Sequence, residues 1–168
     1  MNIFFITGTS GAEKTTLVNY LKASLPEALF EVYDVDEKGV PSNACQEWRR
    51  EITEYWLSRA ETNSHHNKST IICGVTVPSE VVSSLKKPSI PIYFGFIKVD
   101  VETIRQRLKK RGWDDQLVQD NINWARYLHK EVKKHQGHCI VDAFYYRSPQ
   151  EITDVFVKWI CNTELIKK

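Results

Sequence analysis

The chain has 168 residues, enough for one domain, 1–168, with a full core. Apolar residues make up 42% and charged residues 26%, the balance of a globular protein in water. A net charge of +2 is too weak to argue for nucleic acid or an anionic membrane as partner.

The chain opens on Ile3-Phe4-Phe5-Ile6, an apolar run that predicts a buried strand over 2–6. Gly8 interrupts it too soon for a signal peptide or a membrane span. Cys45, Cys73, Cys139 and Cys161 are scattered and form no C-x-x-C pair, so they read as reduced core thiols of a cytoplasmic protein.

After the first strand comes Gly8-Thr9-Ser10-Gly11-Ala12-Glu13-Lys14-Thr15-Thr16, then Leu17-Val18-Asn19-Tyr20-Leu21 with helical spacing. Strand, glycine loop and helix are the context of a phosphate-binding loop, in which backbone N–H groups and the positive helix end meet phosphate oxygens. Lys14 would reach the terminal phosphates and the Thr15 hydroxyl would ligate Mg²⁺. Glu13 stands where the pattern G-x-x-x-x-G-K-[ST] has its second glycine. A glycine there leaves room for phosphate, and a carboxylate does not. In the first turn of the helix the Glu13 charge would be favoured, and it could also turn toward Lys14 into the place of a phosphate.

Pro26 ends the first helix, and a second strand is expected over 29–33. It runs into Asp34-Val35-Asp36. Alternation along an extended chain would put both carboxylates on one side, roughly 7 Å apart, at the ligand-binding edge of the sheet. One could hold water on Mg²⁺ and the other accept a proton from a substrate hydroxyl. The plainer alternative has Asp36 capping a turn through Gly39 and Pro41.

Trp48, Ile52, Tyr55, Trp56 and Arg59 then give one broad helical face, read as core. Arg49 and Arg50 beside it can make surface salt bridges to Glu47, Glu51 or Glu54. His65-His66 reads as a solvated turn with no third ligand for zinc. A third strand over 69–73 leads into Cys73-Gly74-Val75-Thr76-Val77-Pro78, where a backbone turn could touch substrate, and Pro78 opens a short helix.

A fourth strand over 91–99 precedes Asp100, a cap for the helix that follows, which Ile104 and Leu108 would anchor. Arg107 and Arg111 lie four apart on one face, spaced to clamp adjacent phosphates and neutralise charge on a transferring phosphoryl group. A merely basic helix is the alternative. Arg105, Lys109 and Lys110 fall on other faces, as surface. A short lid at Gly112–Asp115 leads to a polar helix over about 115–135 carrying Trp124, Tyr127 and Leu128, able to close over the site or to form a fixed flank. The fifth strand, 138–142, is followed by a cap at Ser148-Pro149 and a last helix with Ile152, Val155, Phe156, Trp159 and Ile160 inward. Alternating strands and helices predict a three-layer α/β/α fold with a mostly parallel sheet.

The phosphate loop, the Asp34-Val35-Asp36 after strand two and Arg107-Leu-Lys-Lys-Arg111-Gly112 together resemble the nucleoside-monophosphate-kinase-like group, with its adenylate, shikimate and gluconate kinases. The resemblance implies a five-stranded parallel sheet of order 2-3-1-4-5 and an ATP- and Mg²⁺-dependent phosphotransferase acting on a hydroxyl or phosphate of a small metabolite or nucleotide-like acceptor, with Arg49 or Arg50 placed for an anionic one. It implies Asp34 for the metal-linked water, Asp36 for the acceptor hydroxyl, Arg107 and Arg111 at base and phosphates, and the adenine ring beside 138–142 and the loop to Pro149. Glu13 departs from the group, and a nucleotide-binding module without kinase turnover is the second expectation. A GTPase is not expected, since neither its guanine motif nor a D-x-x-G after strand three occurs.

Overall fold

A computed structural model of the chain describes residues 1–41, 45–85, 90–146 and 148–165. Arg147, in the loop before Pro149, and the basic end of the chain, Lys167 and Lys168, lie outside the described residues.

Five parallel strands form one sheet: β1 (Ile3–Thr7), β2 (Phe30–Asp34), β3 (Ser69–Cys73), β4 (Ile92–Lys98) and β5 (Cys139–Asp142), in the order β2-β3-β1-β4-β5. Every residue of β1 is buried, because both faces of the central strand are covered by helices. Phe4 and Ile6 point to the layer of α1 (Lys14–Ser24) and α6 (Pro149–Leu165), where Leu17, Leu21, Phe156 and Ile160 meet them. Ile3 and Phe5 point the other way, to α2 (Gln46–His65), α3 (Pro78–Ser83) and α5 (Asp115–Lys133), through Trp56, Val81, Leu128 and Val132. The expected three layers and strand order are those observed.

Two readings of side-chain placement are corrected. The buried face of α2 is Ile52, Thr53, Trp56, Ala60 and Asn63, whereas Tyr55 and Arg59 are exposed. The helix is rotated about its axis so that small Ala60 and hydrogen-bonding Asn63 meet the sheet, with Asn63 donating to Thr70 Oγ1 at 3.0 Å. Of the four free thiols, Cys73 is buried and Cys139 and Cys161 are half-buried, but Cys45 is exposed at the N-terminal cap of α2 and is no core residue.

A short helix, α4 (Val101–Lys110), joins β4 to α5. Asp100 caps it by accepting from Thr103 N at 2.9 Å, and Ile104 and Leu108 pack against Val118 and Ile122 of α5. Helix α5 is therefore held along its length, by α4 near its start and by the sheet near its end. No helix among the described residues is long and apolar enough to cross a membrane.

Candidate active site

The site gathers where the strands end, at the carboxyl edge of the sheet. The 8–13 loop turns back over the start of α1 with Gly11 at φ 82° and Glu13 at φ 56°, both left-handed. The second glycine of the pattern is thus a conformational requirement as well as a matter of space, and Glu13 meets it at a cost of roughly 1–2 kcal/mol. This corrects the expectation for Glu13. It is the cap residue before α1, not part of its first turn, and makes no side-chain capping bond. Its carboxylate also does not turn to Lys14: it pairs with the Arg107 guanidinium at 3.4 Å.

Lys14 Nζ donates instead to the carbonyl of Thr9 at 2.9 Å, folded back over the loop. Burial is the largest influence on this ammonium and lowers its pKa from 10.5 to about 8, against the opposing pull of Asp36 and Asp34. The Thr15 hydroxyl donates to Asp34 Oδ2 at 2.8 Å, joining the two residues expected at the metal. A hydroxyl and a carboxylate oxygen are the hard donors Mg²⁺ takes, together with phosphate oxygens and water, so this pair fits the ion. No cluster of three or more His, Cys, Asp or Glu among the described residues offers a separate metal site.

Asp34 and Asp36 are not the alternating pair expected from an extended chain. β2 stops at Asp34 and the chain turns into one 3₁₀ turn, Val35–Lys38. Asp34 Oδ1 accepts from Asp36 N at 3.0 Å, so the capping carboxylate of this turn is Asp34 and not Asp36. The turn is fixed by packing: Val35 lies so close over Gly74 that a Cβ there would come within 2.4 Å of it. Gly74 is thereby needed to seat Asp36, whatever its backbone does for substrate. Loss of solvent around its carboxyl, then the neighbouring Asp34 charge, raises the pKa of Asp36 despite the opposing Lys14.

Arg107 and Arg111 both approach the loop. Arg107 Nη1 donates to the Gly11 carbonyl at 2.7 Å while its other arm meets Glu13. Arg111 is the C-terminal cap of α4 and exposed, near enough for its charge to depress Lys14 further. Arg105 and Lys109 make surface pairs with Glu102 and Asp115. Behind the loop, Ala12, Leu17, Val99, Ala143, Tyr146 and Pro149 line a cleft whose mouth carries Glu13 and Arg107. The expected adenine-side residues 138–142 do not line it; the segment after β5 and the start of α6 do.

Two contacts escaped the sequence reading. Asn121 of α5 accepts from the buried Thr9 hydroxyl at 2.6 Å and donates to the Ser10 carbonyl at 3.3 Å. Arg49 pairs with none of Glu47, Glu51 or Glu54 but with Glu80 of α3, through two bonds of 2.9 and 3.0 Å. Both link residues far apart in the chain, so no local pattern signals them.

No family model matches the chain, and no curated protein matches it in sequence. Solved structures do. Shikimate kinase from Aquifex aeolicus superposes with a TM-score of 0.65 at 18% identity, covering 97% of this chain and 98% of that one. Shikimate kinase from Acinetobacter baumannii, solved with shikimate, gives 0.67 at 14%, covering 98% and 96%. A gluconokinase from Sinorhizobium meliloti gives 0.64 at 14%, covering 96% and 93%.

Proposed function

From a chain with the P-loop fold of the shikimate and gluconate kinases, we propose an ATP-dependent phosphotransferase that moves the γ-phosphoryl group onto a hydroxyl of a small metabolite. The observation that carries this is the Thr15–Asp34 hydrogen bond beside Lys14 and Asp36, four groups of complementary chemistry at one sheet edge. The backbone of Gly8, Thr9, Ser10, Gly11, Ala12, Glu13, Lys14, Thr15 and Thr16 cradles the phosphates. Thr15 and Asp34 hold Mg²⁺, which when bound neutralises phosphate charge. Lys14, released from Thr9, stabilises the γ-phosphoryl oxygens with Arg107 and Arg111.

Asp36 accepts the proton of the acceptor hydroxyl. The hydroxyl oxygen bonds to the γ-phosphorus as the bond to the bridging oxygen breaks, and that electron pair leaves on ADP. A carboxyl with a raised pKa is a better base for this than an ordinary one. The four unpaired thiols are in keeping with a reducing, cytoplasmic setting.

The Glu13–Arg107 pair favours a second reading, a nucleotide-binding module with weakened turnover, since it engages an arginine of the site with a carboxylate of the loop. A coupled assay of ADP release against a panel of hydroxyl acceptors separates the two. Acceptor-dependent ADP supports the kinase, and Mg·ATP binding without it supports the module.

A further inference from the structure

The wall facing the phosphate loop across the carboxyl edge is built from the first turns of α2 and α3 and the front half of α5. Asn121, which touches Thr9 and Ser10, fixes where α5 passes the loop. Trp124 lies three residues further on, about 4.5 Å along the helix axis. The Arg49 guanidinium sits over its indole, 5.6 Å from the ring centre, and the Tyr127 ring lies tilted beside Trp124 with its centre 5.2 Å away. Arg49 is thus a cation that this wall holds over Trp124, one turn beyond the residue that touches the loop.

It is already engaged. Glu80 closes a two-bond fork on it, and both side chains are about three-quarters buried, at 24% and 21% exposure. Arg50 lines a groove with Glu47 and Glu80, so among the described residues of this groove and fork the two arginines are matched by two carboxylates. An incoming carboxylate would exchange one fork for another and leave Glu80 half-buried and unpaired, a net loss. What the wall offers instead is an aromatic surface: Trp124, covered on one face by Arg49, and beside it the exposed ring of Tyr127.

We propose that the acceptor is an uncharged, hydroxyl-bearing compound with a flat face, a neutral sugar or a nucleoside, and that Glu80 excludes carboxylate and phosphate acceptors by holding Arg49. This rests on the phosphotransferase reading above. Sugars and nucleosides both lay apolar faces on aromatic rings, and the assay distinguishes them.

The test has three arms. Mg·ATP affinity is measured first, because failure to bind ATP removes the phosphotransferase reading and this inference with it. ADP release is then followed with ribose, glucose, uridine and adenosine, and separately with shikimate, gluconate and AMP. At least one uncharged compound is expected to raise the rate tenfold or more over basal hydrolysis, and no anionic one should. Stimulation by an anionic compound, or by none of the uncharged ones in a protein that binds ATP, overturns the inference while leaving nucleotide binding intact. The last arm titrates Glu80→Gln, checked by its melting curve, with shikimate and gluconate. Freed Arg49 should tighten their binding at least tenfold over the parent. In a folded Glu80→Gln protein, no gain overturns the role given to Glu80. If that variant fails to fold, the acceptor panel on the parent protein still decides.

Discussion

The Glu13 carboxylate meets the Arg107 guanidinium at 3.4 Å, while the same arginine holds the Gly11 carbonyl at 2.7 Å. One side chain of α4 thus braces the phosphate loop at both of its left-handed residues. With exposures of 47% and 37%, the ion pair itself is worth only about 0–1 kcal/mol. Its position matters more than its strength.

Glu13→Gly is expected to tighten Mg·ATP binding. Screening at this exposure sets the repulsion between Glu13 and a triphosphate near 1 kcal/mol, or roughly fivefold in affinity. Glycine also relieves the left-handed strain of about 1–2 kcal/mol, which offsets the lost pair and the roughly 0.5–1 kcal/mol entropy cost of glycine. The empty protein should therefore melt no lower than the parent. Calorimetric titration and melting curves of both proteins check this, and equal affinities would show that the Glu13 charge does not reach the phosphates.

Lys14→Ala should abolish productive ATP binding and leave the fold intact, because the hydrogen bond of Nζ among the described residues is to a loop carbonyl. The pH dependence follows from its pKa of about 8. Above that value Lys14 is neutral in the empty protein, so ATP affinity should fall about tenfold between pH 7 and 9. The sign for stability is opposite. The folded pKa lies below the ordinary 10.5, so burying the charge costs stability fully below pH 8, and the cost fades as pH rises toward 10.5. A flat affinity profile from pH 7 to 9 would remove Lys14 from the phosphates.

Asp36→Asn should cut turnover by about 10²–10⁴-fold with little change in ATP affinity, as expected for loss of a positioned base. Asp34→Asn should instead raise the Mg²⁺ concentration needed for half-maximal rate, since Asp34 holds Thr15. Rates measured across a magnesium series distinguish them. A matching magnesium shift in both variants would place Asp36 at the metal too.

Asn121→Ala should weaken ATP binding by roughly five- to thirtyfold. It removes the side-chain acceptor of the buried Thr9 hydroxyl, a loss of about 1–2 kcal/mol that falls on the loop conformation. Hydrogen exchange in residues 8–14 should rise with it. Unchanged exchange would mean that α5 does not support the loop.

Arg107→Ala and Arg111→Ala should each slow turnover, and the double variant should cost less than their sum. Arg107→Ala should be the more damaging for ATP affinity because Arg107 donates to the loop backbone at the Gly11 carbonyl. Small, strictly additive effects would favour a solvated basic helix.

The strand–loop–helix start, the five strands, the Asp100 cap and the Ile104–Leu108 anchor were legible because each depends on neighbours along the chain: apolar runs, periodicity and turn residues; the strand order came from the family resemblance. That Thr15, Asp34 and Lys14 lie at the loop and at the end of β2 was legible for the same reason, as parts of short motifs. Tertiary structure alone decided where the flexible polar and charged side chains went. Glu13 turned to Arg107, Arg49 to Glu80 and Asn121 to Thr9, pairs separated by 94, 31 and 112 residues. It also bent Asp36 out of the strand, because Val35 had to pack over Gly74 once β2 and β3 lay side by side. Local sequence sets what a segment forms, but the partner of a polar group is whatever the fold brings within hydrogen-bond reach.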